Sequence, residues 1–230
     1  MITKAVKNDV ITPIDKVTAN PLTGPVPKNI KINEVDVLAQ RLTYVGELGW
    51  ELHVPWGDAL KIYDYINETG KEFGLKDAGQ YAINTMRIEK AFRAWGHELS
   101  TEETPLEAGL GFAIDWAKNF IGRDALIRQK KDGIRKRLLS FVLQESSASL
   151  WGNEPIICNG QIVGHTTSAA FSTSLGYPIA MGYVKADNAN QNIICNIENS
   201  VFEILTNGNN FVAKASIKAP YDPARSKVLI

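Results

Sequence analysis

The residues of this chain best suited to recognising a ligand lie between Arg41 and Leu52. Tyr44 supplies an aromatic hydroxyl there, and two carboxylates, Glu47 and Glu51, accompany a glycine-bearing turn. A carboxylate can accept two parallel hydrogen bonds from a planar pair of N–H groups, such as the edge of an amino-pyrimidinone ring. A tyrosine beside it would line the pocket with a flat apolar face and a polar tip. The alternative is that Glu47 and Glu51 are solvent-facing members of a β-hairpin.

Other kinds of chemistry find little support in the side chains. His53, His97 and His165 are scattered and form no cluster with metal-ligand spacing, so we predict no metal site. Of the three, His97 either serves a site or is a hydrogen-bonded structural histidine. Cys158 and Cys195 lie in separate apolar runs without a CxxC pair, which predicts packed thiols in a reducing compartment.

The composition is that of an ordinary globular protein, and its charges balance, with 25 Lys and Arg against 25 Asp and Glu. Nucleic-acid-binding proteins usually carry a basic excess, so we predict no nucleic-acid partner. No apolar run approaches the roughly 18 residues that span a bilayer. Lys4, Lys7 and Asp9 interrupt the N-terminus before a signal-peptide core forms. We therefore expect no membrane association and a cytoplasmic location.

An α+β portion, which we place at residues 34–130, must position the 41–52 segment. Residues 1–33 contain four prolines in a polar stretch and are predicted to be an extended arm or linker. β-branched and aromatic residues predict strands over 35–45 and 50–54, with Glu51 and His53 facing away from Leu52.

Helical patterns follow this hairpin. A helix capped by an aspartate is expected over 58–70, and another over 77–92. In the second helix Ala82 and Met86 share the apolar stripe, and Arg87 lies off the centre of that stripe. Two further helical segments are expected, a short one that begins at 104–107 and one over 124–130.

The hydrophobic period changes to that of short strands from about residue 136. Asn159-Gly160 and Asn207-Gly208 are residue pairs typical of two-residue hairpin turns. Six or seven strands with turns between them predict a small antiparallel β-barrel over residues 134–228. The runs that predict strands are 137–144, 154–158, 161–168, 181–185, 192–197, 201–205 and 211–217.

Several segments together resemble one known family. Tyr44-Val-Gly-Glu-Leu-Gly-Trp-Glu-Leu52 closely resembles the Tyr-x-Gly-Glu-x-Gly-x-Glu stretch of the glycine-cleavage T-protein (aminomethyltransferase) family. The amino-acid sequence of this segment is most similar to the folate-binding parts of sarcosine and dimethylglycine dehydrogenases. The further segments that resemble the family, in the family's order, are 86–99, 104–112, 118–126, 164–168 and 179–184.

The resemblance implies a tetrahydrofolate-binding protein, built from a partial folate-binding α/β domain and a small antiparallel barrel. Glu51 would accept hydrogen bonds from the exocyclic amine and the adjacent N–H of the pterin, with Tyr44 beside it. Arg87 would assist at the folate site or orient a site carboxylate; the alternative is an ordinary ion pair on the helix surface. Trp95 and Phe112 could wall the pocket or belong to the core.

The chain also departs from the family pattern. Residues 1–33 do not resemble the family's N-terminal half, which carries an aspartate near the reacting carbon, and we assign no acid of this chain to that role. The catalytic residue is therefore unknown. The chain could transfer a one-carbon unit from a methylamine-type donor, with a partner or a second copy completing the site. It could instead be a non-catalytic folate-binding or assembly subunit of a larger flavin-dependent complex. A third interpretation is an interaction protein whose exposed half-core pairs with another chain.

Overall fold

The structure is a computed structural model that describes residues 27–186 and 197–228. Within those ranges the chain divides into two compact units. The first ends at Gln80 and also takes residues 226–228, and the second is Tyr81–Arg225. The predicted mixed α and β architecture with a barrel in the C-terminal region is confirmed.

A three-stranded antiparallel sheet is the centre of the first unit. Its strands, in sheet order, are β1 (Lys28–Ile32), β2 (Val35–Gln40) and β3 (Glu51–His53). Apolar residues alternate with polar ones along β2, so Val35 and Val37 point to one face. Helix α1 (Ala59–Gly70) packs Ile62 onto that face, and the buried cluster also includes Ile32. Each such aliphatic side chain contributes about 1.5–3 kcal/mol on burial.

The connection between β2 and β3 differs from the prediction. β2 ends at Gln40 rather than at residue 45, and residues 41–50 form a loop without regular structure. The loop folds back on itself because Gly46 takes a positive φ of 69° and its N–H donates to Thr43 Oγ1 at 2.9 Å. A Cβ atom on Gly49 would lie 2.6 Å from the Leu42 carbonyl oxygen, so only glycine permits this close approach.

Helix α2 (Gln80–Glu89) begins later and ends earlier than the predicted 77–92. Asp77 lies three residues before the start of this helix, and its carboxylate accepts a hydrogen bond from the Tyr63 hydroxyl at 3.0 Å. At the other end Ala91 takes a positive φ of 53°, and the Phe92 N–H donates to the Arg87 carbonyl at 2.8 Å. Together these features define a C-terminal helix cap in which one residue takes the left-handed backbone conformation. That residue is Ala91 here, although glycine is the usual residue at this position.

The rest of the helical structure is brief. The predicted start at Thr104 is present as a reciprocal cap, because the Thr104 N–H donates to the Glu107 carboxylate and the Glu107 N–H donates to Thr104 Oγ1. Gly109, with a φ of 73°, ends this turn before it becomes a helix. Helix α3 (Arg123–Asp132) follows, within two residues of the predicted range.

A closed six-stranded antiparallel barrel fills the C-terminal part of the second unit. The strands are β4 (Lys136–Leu143), β5 (Pro155–Cys158), β6 (Gln161–Ser172), β7 (Tyr177–Lys185), β8 (Phe202–Thr206) and β9 (Asn209–Ser216). Around the barrel they follow the order β4-β7-β6-β5-β8-β9. Asn159-Gly160 joins β5 to β6 and Asn207-Gly208 joins β8 to β9, both with positive φ at each residue, as type I′ turns require.

The barrel interior is apolar and fully enclosed. Phe141 packs edge-on against Phe202, and Ile156 and Ile204 complete the same buried cluster. Cys158 lies in this cluster as predicted, and burial raises the pKa of its thiol. Of the predicted strand at 192–197 only Ile197 lies inside the described residues, where it begins a short 3-10 turn. Cys195 and residues 1–26 lie outside them, and residues 28–32 of the predicted arm form β1.

Candidate functional site

Glu51 begins β3 on the face of the sheet that α1 does not cover. Its partner across the strands is Gln40, and His53 pairs with Leu38 on the same face. The Glu51 side chain is 53% exposed, and one carboxylate oxygen lies 4.0 Å from His53 Nε2. Leu52 points to the opposite face and packs with the buried cluster. The carboxylate is thus held by a strand and faces solvent, which is the arrangement given above as the alternative for Glu51, and it is open to a molecule that approaches from that side.

Tyr44 and Glu47 lie in the 41–50 loop that leads to Glu51. The Tyr44 ring is exposed, and Glu47 is half-buried. Arg41, at the start of the loop, donates from its guanidinium to the Val228 carbonyl at 2.9 Å, which ties the loop to the C-terminal residues of the same unit. The first unit therefore contains two of the three predicted ligand residues, Tyr44 and Glu51, and they are joined by one short connection.

Arg87, the third predicted residue, lies in the second unit and is only 1% exposed. Its Nη1 donates to Glu98 Oε2 at 2.6 Å and to the Phe92 carbonyl at 3.1 Å. Its Nη2 donates to Ser168 Oγ at 2.6 Å, and its Nε donates to Asn84 Oδ1 at 2.9 Å. The ion pair of Arg87 is therefore inside the unit and not on the helix surface. The apolar stripe of α2 was misplaced, since Ala82 is exposed.

Glu98, the partner of Arg87, was not predicted as a site residue, and its carboxylate is completely buried. Besides Arg87, Oε2 accepts from the Ala94 N–H at 3.0 Å, and Oε1 accepts from Thr167 Oγ1 at 2.7 Å. The Glu98 carbonyl accepts from the Tyr183 hydroxyl at 2.7 Å. Its only signal in the sequence was a position inside the 86–99 motif, since hydropathy would place a glutamate on the surface.

A second buried carboxylate belongs to Glu89, at the end of α2. Oε1 accepts from Ser172 Oγ, and Oε2 accepts from Ser174 Oγ at 3.0 Å. The next residue, Lys90, is buried as well and pairs with Asp222 at 3.1 Å. The last turn of α2 and the residue after it therefore carry three buried charged residues, and each has polar partners.

Trp95 and Phe112, the two aromatic residues considered for a pocket wall, are among the exposed side chains of the second unit. Trp95 is 71% exposed and Phe112 is 73% exposed, so neither belongs to the core. His97, two residues from Trp95, is exposed as well. These three side chains are available to a ligand or to a partner.

The electrostatics around Tyr183 favour the neutral phenol. Burial, and then the negative charges of Glu103 and Glu107, raise the pKa of Tyr183 well above its ordinary value. Burial also lowers the pKa of Arg93 and of Arg137. Within the described ranges, no three His, Cys, Asp or Glu side chains gather as metal ligands would, and no helix is long and apolar enough to cross a bilayer.

Comparison with known families gives two matches that together cover most of the chain. Residues 25–118 match the GCVT N-terminal domain, and residues 136–222 match the glycine cleavage T-protein C-terminal barrel domain. The first range contains the 41–52 segment together with Arg87 and Glu98. The second contains all six strands of the barrel.

Curated relatives point the same way. Human dimethylglycine dehydrogenase, a mitochondrial protein, is 40% identical over 178 residues, which cover 74% of this chain and 21% of the relative. The aminomethyltransferase of Thermoanaerobacter sp. (strain X514) is 35% identical over 189 residues, 81% of this chain and 51% of the relative. The mitochondrial pyruvate dehydrogenase phosphatase regulatory subunit of Mus musculus is 38% identical over 187 residues, 76% of this chain and 21% of the relative. The chain thus spans between a fifth and a half of these proteins.

A solved structure supports the fold. The glycine cleavage system aminomethyltransferase T of Bartonella henselae superposes with a TM-score of 0.69 at 21% identity, covering 80% of this chain and 49% of that one. Two of the relatives named above are mitochondrial, and the cytoplasmic location expected for this chain stays a prediction.

Proposed function

Because this chain belongs to the glycine cleavage T-protein family, we propose that it binds tetrahydrofolate and positions it to accept a one-carbon unit from a methylamine-type donor. The observation that carries the proposal is the 44–52 motif, with the Glu51 carboxylate on an open strand face. The two oxygens of Glu51 match the paired N–H donors on the amino-pyrimidinone edge of a pterin. Tyr44 supplies an exposed ring one short connection away.

Arg87 enters this proposal as a positioning residue. Its guanidinium is enclosed and donates to four oxygen acceptors, so it acts on a ligand through the groups that it holds. The charged one among these is Glu98, whose carboxylate Arg87 fixes by a charge-assisted hydrogen bond of 2.6 Å. Of the two roles expected for Arg87, its burial therefore favours the orienting of a carboxylate.

The exposed rings of Trp95 and Phe112 support the same function. A folate molecule presents two flat rings joined by a flexible link, and exposed aromatic faces stack on such rings. Neither side chain contributes much to the apolar core, since about three quarters of each is in contact with solvent.

In the proposed reaction the protein contributes mainly geometry. The folate supplies the nucleophilic nitrogen, and the donor supplies a methylene carbon bound to nitrogen. Holding the two in an attacking arrangement can account for several kcal/mol of the barrier without an acid of the chain taking part. Proton transfer would add about 10²- to 10⁴-fold, and we assign no residue of this chain to it.

Calorimetric titration of the purified chain with tetrahydrofolate tests the proposal. Glu51→Ala is expected to weaken binding by about 2–4 kcal/mol, because the paired N–H edge loses its acceptor. Asp36→Ala is the matched control, since Asp36 is a carboxylate on the neighbouring strand, 78% exposed and paired with Lys31. An equal dissociation constant for the Glu51 variant and the wild-type chain would refute the site.

One observation favours a second function, that of a non-catalytic folate-binding or assembly subunit within a flavin-dependent demethylating complex. A relative at 38% identity is named as a regulatory subunit, and the matched segment is only 21% of the length of that relative. Binding of tetrahydrofolate without one-carbon transfer from a donor that is already at the formaldehyde oxidation level, a methylene carbon bound to nitrogen, would favour this alternative. Light scattering then shows whether a second copy joins, because a complementary subunit or a homodimer is part of either proposal.

A further inference from the structure

The outer face of helix α1 is apolar, although it faces solvent. Trp56, in the 3-10 turn that leads into the helix, is 96% exposed, and Leu60 and Tyr63 are 72% and 51% exposed. Spacings of four and three residues place these side chains in one stripe along the helix. The inner face is already occupied, since Ile62 is buried and Ile66 packs against the same cluster. Helix α1 therefore has two apolar faces, and the fold of the first unit explains only the inner one.

Helix α3 shows what an ordinary surface helix of this chain exposes. Its exposed side chains are mostly charged, among them Arg128, Lys130 and Lys131. A stripe that brings together a tryptophan, a leucine and a tyrosine is instead of the kind that marks an interaction surface. We call these three residues of the outer face, Trp56, Leu60 and Tyr63, the α1 stripe.

The hydroxyl within the α1 stripe already has a partner. Tyr63 donates to the Asp77 carboxylate at 3.0 Å, inside the same unit. A molecule that covers the ring would therefore leave no phenolic hydrogen without an acceptor. The hydrogen bond also restricts the ring, so the side chain loses less conformational entropy on association. Tyr63 is thus suited to burial in an interface.

Two opposite charges lie along one edge of the α1 stripe. Lys61 and Asp64 are three residues apart, so they are neighbours on the helix surface, and both are exposed. Among the residues that the structure describes, neither makes an ion pair within its own chain. Each charge is therefore available to an opposite charge on another molecule.

An antiparallel pair of α1 helices would match both charges at once. A two-fold axis perpendicular to the two helices keeps the same edge of each helix on the same side of the seam. With the axis level with the middle of residues 61–64, Lys61 of one copy lies opposite Asp64 of the second copy, and symmetry repeats the contact. Leu60 and Tyr63 of the two copies then alternate at the centre of the seam. A parallel pair would carry the charged edges to opposite sides of the seam, so it would form neither contact.

We propose that two copies of this chain associate through the α1 stripe, as an antiparallel helix pair with reciprocal ion pairs between Lys61 and Asp64. The inference does not depend on the proposed folate site, because Glu51 lies on the face of the sheet that α1 does not cover. Residues 56–70 span only about 22 Å, so an interface of one helix per copy belongs to the weak class. The association should therefore depend on concentration, with a dissociation constant on the order of 10–100 μM.

Sedimentation equilibrium of the full chain, from about 1 to about 500 μM, measures this constant. Asp64→Lys should weaken the dimer by about tenfold, because both reciprocal pairs become contacts between like charges. The double variant Lys61→Asp/Asp64→Lys restores opposite charges with their signs exchanged, and it should return the constant to within about threefold of wild type. Asp36→Lys is the matched control, since it makes the same change on an exposed carboxylate of β2 and should leave the constant unchanged.

Leu60→Gln tests the apolar part of the interface and should weaken the dimer by at least about tenfold, because each copy loses a leucine that association buries. The changed side chains are exposed in the single chain, so each variant should keep its circular dichroism spectrum and a melting temperature within a few degrees of wild type. A monomer at every concentration overturns the proposal and leaves the α1 stripe to another polypeptide. A dimer that Asp64→Lys affects no more than Asp36→Lys does, or that the double reversal does not restore, overturns it as well, since such a dimer forms through another surface or in another orientation.

Discussion

The two units use their carboxylates in opposite ways. In the second unit the carboxylates of Glu98 and Glu89 are enclosed, and each accepts hydrogen bonds from side chains far away in the sequence. In the first unit Glu51 is half exposed on an open strand face, and its neighbour His53 lies at the limit of ion-pair distance. An enclosed carboxylate fixes the structure, because its removal leaves buried donors without an acceptor. An open carboxylate contributes little to folding and is available to a ligand.

This difference can be measured as a free energy of unfolding. If the second unit depends on its buried polar groups, changes there should be costly. Changes to the open carboxylate of the first unit should leave the free energy of unfolding nearly unchanged and should weaken ligand binding. Urea denaturation of single variants, monitored by circular dichroism, gives the unfolding values.

Arg87→Met should destabilise the protein most, by about 3–5 kcal/mol, because the Glu98 carboxylate would be left buried without its cation. Lys71→Met is the matched control, since Lys71 also pairs with a glutamate, Glu68, but both side chains are more than 70% exposed. That change should stay within about 0.5 kcal/mol of wild type.

The double variant Arg87→Met/Glu98→Leu tests whether the unpaired charge is the cause. It should recover a large part of the loss, because replacing both members of a buried pair by apolar residues is often neutral. If Arg87→Met were as mild as Lys71→Met, the contrast between enclosed and open carboxylates would disappear.

Gly164→Ala is the next largest expected change. A Cβ atom on Gly164 would lie 1.8 Å from the Tyr183 carbonyl oxygen on β7, and backbone in a closed barrel cannot move away. We expect a loss of about 3 kcal/mol. Gly57→Ala in the first unit is the control, because a Cβ there has no neighbour within 4 Å. A loss of under 1 kcal/mol for Gly164→Ala would mean that β6 and β7 separate more easily than their register indicates.

Much of this architecture could be predicted from the sequence, because its signals are local. The Asn-Gly pairs at 159–160 and 207–208 require positive φ and therefore mark hairpins wherever they occur. Short alternating runs around them predict strands, and the hairpins β5-β6, β6-β7 and β8-β9 supply three of the six strand pairings of the barrel. The reciprocal cap of Thr104 and Glu107 is equally local, since both residues lie in one turn.

The predictions from sequence were wrong where the local pattern does not determine the structure, most often because the contacts join residues far apart in the sequence. Arg87 was placed away from the apolar stripe of α2 because hydropathy treats arginine as a surface residue, and its acceptor on β6, Ser168, is 81 residues away. Glu98 was missed for the same reason. Residues 41–45 looked like strand because their side chains favour it, but the Thr43 hydroxyl and Gly46 close a loop there instead. Tyr44, Glu51 and Arg87 stay predictions as ligand residues until binding is measured.

Tyr183, a buried ionisable group of the second unit, should make the free energy of unfolding depend on pH. Its pKa is raised in the folded state, so the folded protein keeps a phenolic proton that the unfolded chain loses above its ordinary pKa near 10. The contribution of Tyr183 to stability is therefore complete below pH 10, and it falls above that by at most about 1.4 kcal/mol per pH unit. Tyr183→Phe should show a shallower decline between about pH 10 and 11. Identical slopes for the two proteins would show that the buried phenol does not resist ionisation.

Glu51→Ala should have the smallest effect on folding, within about 0.5 kcal/mol of wild type, because surface substitutions without buried partners are usually neutral. The same variant is expected to lose most of its tetrahydrofolate affinity, so one substitution would separate binding from stability. Glu98→Gln gives the reverse comparison, since it should destabilise the protein by more than 1 kcal/mol through weaker bonds to Arg87 and Thr167. If Glu51→Ala instead destabilised the fold as much as Glu98→Gln, the carboxylate of Glu51 would be a structural group. The reason for assigning it to the ligand would then be lost.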